Sequence, residues 1–537
     1  MVYCGKPSTG CGRCRSRRIK CDQENPSCSQ CTRAKISCPG YRDTLTLTFR
    51  DQSDEVIGKA QAQAQAQQLQ LDTRKTTTPK NTSKRRGKQS PPLGKSLSCS
   101  ETDLARGYMF SHYLSPGGQL SYMKELAGTY THDLAVDVAI TAVGLATLAN
   151  VRMAPGLMLA ARWEYTTALA RMNSALRDGE LSRRDDTLAA VVLLGMFEVT
   201  TCTDNSFFDR WMKHMDGAAR LVEMRGPEQL KRPEGLSLFT QLRGQICIAS
   251  IYREQYSLPI MANLTAEAKK HRKPEDRAYD DFGAVGVKLS ELCAAIKSST
   301  IIHPSDIIDS ALGLDAELEA SISTLPTSWN YRTVTIPQVN DGLSIAPATW
   351  GNTYHQYQST SISSAWNNYR SARLIIHELI VDAIRDQEKQ DELLHDFGFD
   401  IDPINNDTLL TQSQQIGRQM AEDIAASVPF HLGAAIETIH HDKSVKNTNM
   451  STAGAVSAAT GMAVVWPLLV SANSGFASQD MRRWITTVLE RIGHSMGLDQ
   501  ALAMARLVRE GMKSRAWLDN VECEVEVGLV DCIEDLL

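Results

Sequence analysis

Six of the seven cysteines among the first 38 residues are set out as two copies of one spacing: Cys11, Cys14 and Cys21, then Cys28, Cys31 and Cys38. In each copy two residues separate the first pair, and six more precede the third cysteine. A segment this short cannot bury enough apolar surface to hold itself together, so its fold must be fixed by cross-links or by metal. The N-terminal stretch MVYCGKPSTG lacks the apolar core of a secretory signal. A reducing compartment is therefore expected, and the clustered thiols read as metal ligands rather than disulfides.

Zinc takes four ligands in a tetrahedron, and two cysteines two residues apart can reach one ion across a tight turn. One zinc on Cys11, Cys14, Cys28 and Cys31 would leave Cys21 and Cys38 idle at matching positions. Two zinc ions need eight contacts, which six thiolates supply only if two sulfurs bridge both ions. Because the halves are equivalent by spacing, the expected bridges are Cys11 and Cys28. Cys14 and Cys21 then complete one ion, and Cys31 and Cys38 complete the other. Cys4 precedes the repeat, breaks its symmetry and reads as a spare thiol.

Six thiolates against two divalent ions leave a formal charge of about -2, which nearby cations offset. Neutralisation alone would treat the halves alike, yet the interval RSRRIK holds four basic residues where the matching TRAKIS holds two. The first half is therefore expected to face a polyanion. A short helix from about residue 15 to residue 20, fixed by metal at both ends, could enter a DNA major groove. Arg17 and Arg18 are the candidate base readers; Arg13, Arg15, Lys20, Arg33 and Lys35 are candidate phosphate contacts. Charge is divided accordingly along the chain: 19 Lys and Arg against 7 Asp and Glu in the first 100 residues, and 38 against 55 in the rest. One end seeks polyanions and the remainder does not.

Composition places the boundaries. Residues 5–40 form the cysteine module and residues 41–100 a polar, basic, low-complexity linker. Its run AQAQAQAQQLQ has no apolar heptad, so no coiled coil is specified. Lys84, Arg85, Arg86 and Lys88, beside Pro91 and Pro92, form a candidate nuclear import signal. Residues 101–537 read as a large all-α domain with an acidic C-terminus, built on one core or two joined sub-cores. In the stretch 365–383, Ala365, Tyr369, Ala372, Ile376, Leu379 and Ala383 advance by three or four and mark one buried helix face. Trp484, Val488 and Ile492 repeat that pattern, with Gly493 and Gly497 near a helix end and Asp499 placed to cap the next helix. LAAVVLLGMF, residues 188–197, is apolar all round and reads as a central helix. No alternating strand series appears.

Residues 453–477 are the candidate membrane span by composition, but their Gly, Ser, Thr, Asn and Pro467 favour a buried helix-turn-helix, and no membrane partner is expected. Cys99, Cys202, Cys247, Cys293, Cys523 and Cys532 lack ligand spacing and read as small core or surface residues. His440 and His441 lack flanking metal partners and read as surface residues. The C-terminal WLDNVECEVEVGLVDCIEDLL carries seven acids and no base. It suits either an activation segment that docks on a coactivator or a last packed element of the domain.

The six-cysteine pattern with RSRRIK, and Pro26 in the joining loop QENPS, resembles the fungal binuclear zinc-cluster transcription factors. CPGYRDTLTLTFRDQS, DDTLAAVVLLGMFEV and WMKHMDGAARLVEMRGP extend the likeness to the subgroup with a fungal-specific helical regulatory domain. The resemblance implies two zinc ions bridged by the first and fourth cysteines, binding to double-stranded DNA at CGG-type triplets with Arg18 as the main reader, and a location in the nucleus. It further implies regulation of RNA polymerase II genes through the transcription machinery or coactivators, over a metabolic or secondary-metabolite gene set. A homodimer is left open, because no coiled coil follows the cluster, and so is a small-molecule effector. No glycine-rich phosphate loop, nucleophile elbow or HExxH motif is present, and an enzyme is not expected. The rival to DNA binding is a zinc module serving as a protein scaffold.

Overall fold

The computed structural model describes residues 10–24, 26–40, 100–114, 120, 123, 134–202, 207–336, 349–396, 406–432 and 458–511. Cys4, the alanine-glutamine run, the Lys84, Arg85, Arg86 and Lys88 cluster, His440, His441 and the acidic C-terminus lie outside the described residues. The chain divides into two units, Met1–Ser96 and Leu97–Leu537.

The first unit contains two one-turn helices, α1 (Gly12–Ser16) and α2 (Ser29–Arg33), which pack on each other. Its buried core consists of Cys11, Cys14, Cys28 and Cys31, with Cys21 and Cys38 against them. Among the described residues no aliphatic side chain joins that cluster, so its cohesion there rests on the sulfurs.

The second unit is helical: α3 (Glu101–His112), α4 (Ala135–Arg152), α5 (Pro155–Leu176), α6 (Asp185–Thr200), α7 (Phe207–Arg225), α8 (Pro233–Arg253), α9 (Ile260–His271), α10 (Ala278–Lys297), α11 (Pro304–Ser323), α12 (Thr360–Asp396), α13 (Asp407–His431), α14 (Ala458–Asn473), α15 (Gln479–Met496) and α16 (Asp499–Glu510). Most neighbours in sequence pack side by side, and α15 and α16 return to α4 and α6. Asn150 fixes this closure. Its amide donates to the carbonyl of Thr200 at 2.8 Å and of Gly497 at 3.0 Å, where α4, α6 and α15 end. Gly497 has φ 70°, and a Cβ there would stand 2.7 Å from the Thr147 carbonyl, so only glycine satisfies both the turn and the contact.

The central helix expected at residues 188–197 is α6, buried along nearly all of its length. Along α12 the expected face is enclosed, with Ala365, Tyr369, Ile376, Leu379 and Ala383 buried and Ala372 packed partly against the core. Four details differ from the sequence reading. A two-stranded antiparallel pair, β1 (Arg332–Thr335) and β2 (Thr353–Gln356), interrupts the helices with Arg332 opposite Gln356. These strands are four residues long and far apart in sequence, below what alternation can reveal. Asp499 is the first residue of α16, and Leu498 holds the capping position. Residues 458–473 form buried α14, while among the described residues the helix long and apolar enough to cross a membrane is Ala135–Arg152, 83% buried within the body. The fourth difference concerns the short basic helix and belongs with the cysteine site.

Candidate metal centre and basic surface

Each half of the cluster begins on a cysteine at the helix N-cap. Cys11 precedes α1 and Cys28 precedes α2, while Cys14 and Cys31 point inward from the helices themselves. The backbone amide of Cys14 donates to the Cys11 sulfur at 3.4 Å, and that of Cys11 donates to the Cys21 sulfur at 3.4 Å. Both helices then close in the same way. The Ile19 amide donates to the Cys14 carbonyl and the Arg18 amide to the Arg15 carbonyl; Ile36 and Lys35 repeat this with Cys31 and Thr32. Arg18 and Lys35 occupy the left-handed position of this Schellman turn, with φ of 55° and 53°. A non-glycine residue costs about 1 kcal/mol or more there. The chain accepts that cost at the same place in both halves, each time with a basic residue.

The thiols gather in two overlapping groups of four. Cys11, Cys14, Cys21 and Cys28 lie within 4.8 Å of one another, as do Cys11, Cys28, Cys31 and Cys38. Cys11 and Cys28 belong to both groups. Their sulfurs are 3.7 Å apart, and the pairs Cys11–Cys31 and Cys14–Cys28 are 3.8 Å apart. All six are free thiols. Zinc holds thiolates at about 2.3 Å, so a zinc–sulfur tetrahedron has edges of about 3.8 Å. The donor set therefore fits zinc in identity and in spacing. Electrostatics agree: the Cys14 amide draws Cys11 down to about 6, whereas burial pushes Cys14 up and hydrogen bonding with Cys28 pushes Cys31 up to about 12. Thiols this close cannot all ionise without cations among them.

The short basic helix is earlier than expected. The sequence reading puts it at about 15–20; the structure puts it at Gly12–Ser16, with Arg17 closing it and Arg18 already left-handed. Cys14 must face inward from a helix while Cys21 must return to the same sulfurs, and the Schellman turn provides that reversal. Arg13, Arg17, Arg18, Lys20, Arg33 and Lys35 are exposed. Arg15 is half-buried and curls toward Gly12, and its Nε and Nη1 are enclosed without a hydrogen-bond partner. The sequence reading missed Asp22, whose carboxylate accepts the Ser29 amide at 3.1 Å and ties the start of α2 to the end of the first half. The Ser29 hydroxyl, donating to the same group, holds the Asp22 carboxyl below its ordinary range. An acid directly after Cys21 and a serine directly after Cys28 were the available signal.

The described cysteines outside this cluster, Cys202, Cys247 and Cys293, are buried singly in the helical unit. Residues 9–47 match the model of the fungal Zn(2)-Cys(6) binuclear cluster domain, a domain that binds two zinc ions, and residues 109–249 match the fungal specific transcription factor domain. White-opaque regulator 2 of Candida albicans is 51% identical over 45 residues, covering 8% of this chain and 10% of that protein. Sterol uptake control protein 2 of the same organism is 46% identical over 39 residues, covering 7% and 5%. An uncharacterized transcriptional regulatory protein of Schizosaccharomyces pombe is 50% identical over 36 residues, covering 7% of each. These matches span a tenth or less of each relative's length. No solved structure matches. Two matched domains, one around the six thiols and one within the helical unit, are what this chain shares with the fungal binuclear zinc-cluster transcription factors.

Proposed function

We propose that the chain is a nuclear, sequence-specific DNA-binding regulator of RNA polymerase II transcription. The observation that carries this reading is the rigid cluster of six thiols with basic side chains standing out from it. Cys11 and Cys28 would bridge two zinc ions, Cys14 and Cys21 completing one and Cys31 and Cys38 the other. Zinc would supply the cohesion that a core without aliphatic side chains lacks. With α1 held against the sulfurs, Arg17 and Arg18 project at its C-terminal end and would read base edges in CGG-type triplets. Arg13, Lys20, Arg33 and Lys35 would neutralise phosphates on either side. Arg15, half-buried, would both offset the negative cluster and meet phosphate.

Residues 5–40 would thus be the DNA-binding domain, residues 41–100 a linker with import signal Lys84, Arg85, Arg86 and Lys88, and residues 101–537 the regulatory domain. That domain would engage coactivators or the transcription machinery and respond to a small-molecule effector. Its gene set would be metabolic or secondary-metabolic, and the protein would act on DNA as a monomer or a homodimer. Selection of bound duplexes from a random pool tests the reading. A recovered CGG triplet is expected, with its copy number and spacing giving the oligomeric state. Recovery of no sequence preference would overturn it in favour of a protein scaffold.

A further inference from the structure

Within the helical unit a cavity of about 380 Å³ opens between α6, α8, α12 and α14. Its size is that of a small-molecule site. Trp211, Trp466 and Met196 contribute an apolar wall. Among the described lining residues one carries a formal charge: Arg272, which follows α9.

Arg272 shares its counter-charge. Its guanidinium donates to Asp280 and to the Thr240 hydroxyl. Asp280, 1% exposed, is shared: Arg243 also donates to it at 2.9 Å and occupies its own remaining reach on the Tyr279 carbonyl. Two guanidiniums thus answer to one buried carboxylate. Glycine makes this crowding feasible, since a Cβ at Gly283 would stand 2.2 Å from the Arg243 guanidinium carbon. Arg272 lies over the Tyr279 ring, 5.9 Å from its centroid, and shares the Asp280 carboxylate with Arg243 at the cavity wall.

We propose that this cavity binds a small apolar carboxylate, its anionic end on Arg272 and its hydrocarbon or aromatic body between Trp211 and Trp466. A largely enclosed cation that shares its carboxylate with a second guanidinium favours an anion more than a fully exposed one does, because water competes less. The surfaces of Trp211, Trp466 and Met196 favour a ligand with an apolar body over free phosphate. The proposal rests on the reading that the helical unit takes a small-molecule effector, and it names the site and the class. It does not depend on DNA binding.

Decanoate and decanol share one body and differ in the charged head, so they probe the site directly. Calorimetric titration of the full chain without DNA is expected to give saturable, one-to-one decanoate binding at least ~10-fold tighter than decanol. Arg272→Gln should remove that preference, and Arg272→Lys should keep part of it. Gly244 lines the cavity, and a Cβ there meets nothing within 4 Å, so Gly244→Leu should fill the space and block both ligands with helix content unchanged. Equal affinity for the two probes, absence of saturation, or full decanoate binding by a folded Arg272→Gln protein would each overturn the assignment. If decanoate binds but fails to change affinity for a selected DNA duplex, the effector role falls while the site stands.

Discussion

At the scale of single residues, the cluster separates backbone duty from side-chain duty at one position. Arg18 sits left-handed, where glycine would be more comfortable, yet its side chain is exposed and cationic. Arg18→Gly should therefore leave zinc content intact and the turn no less stable, while DNA discrimination falls by about 1 to 3 kcal/mol. Competition binding between the selected sequence and a single-base variant measures this. An equal loss on all sequences would make Arg18 a phosphate contact instead. Cys28 is different, because it belongs to both groups of four. Cys28→Ala should reduce zinc per chain toward zero, whereas Cys38→Ala touches one group and should leave about one ion, as counted by elemental analysis. Retention of one zinc by both variants would contradict the shared-sulfur arrangement.

Asp499 poses a second residue-scale question. As the first residue of α16 it stands where the helix N-terminus favours a carboxylate, but burial outweighs that and raises its pKa to about 6. The folded state then binds a proton more tightly than the unfolded chain, whose carboxyl titrates near 4. Stability from this group is greatest below pH 4 and declines as pH rises to about 6. Asp499→Asn should flatten that part of the stability profile and raise stability at pH 7 by about 1 kcal/mol, after discounting for partial exposure. Urea unfolding at pH 4.5 and 7 gives the comparison; an unchanged slope would mean that the carboxylate is paid for by its neighbours.

At the scale of elements, helix spacing depends on small residues as much as on apolar faces. A Cβ at Gly144 would stand 2.3 Å from the Ala105 carbonyl oxygen, so α4 meets α3 backbone to backbone. Arg106 on α3 reinforces the contact, donating to the buried Asp137 carboxylate at 3.1 Å. Gly144→Ala must push the helices apart and should cost about 1 to 3 kcal/mol, read as a lower urea midpoint with an unchanged slope. This contact was not legible in the sequence. Periodicity disclosed which residues of α12 face inward, and apolar content all round disclosed α6 as central, because burial leaves a local imprint on composition. Close backbone approach leaves only a glycine, and glycine has many other uses. The caged Arg370, set among the rings of Tyr331, Tyr357 and Trp366, was equally hidden, since only Trp366 shares its helix while Tyr331 and Tyr357 flank the two short strands.

At the scale of the molecule, the same contrast separates the cluster from the helical unit. Six cysteines at fixed intervals define their own three-dimensional problem, and the sequence alone led to the two sulfurs that both groups share. The course of the chain between them was harder: the turn at Arg18 has no glycine to announce it, so the basic helix was placed about three residues late. The cavity was beyond reach because Arg272, Asp280, Trp211 and Trp466 converge only after the helices pack.

The two units also differ in what holds them, and this yields a test on the intact chain. The core of the first is made of cysteines, whereas the second encloses a continuous apolar core from α3 to α16. Structural zinc supplies on the order of 10 kcal/mol per site, so chelation should unfold the first unit and leave the second standing. Dialysis against a strong chelator is expected to abolish duplex binding while far-UV circular dichroism keeps nearly all of its helical signal, and zinc should restore binding. Before chelation, four to six phosphate contacts predict that log K falls against log salt with a slope of about -4 to -5. A flat salt dependence, or full duplex binding by the zinc-free chain, would place the contact with DNA outside the cysteine cluster.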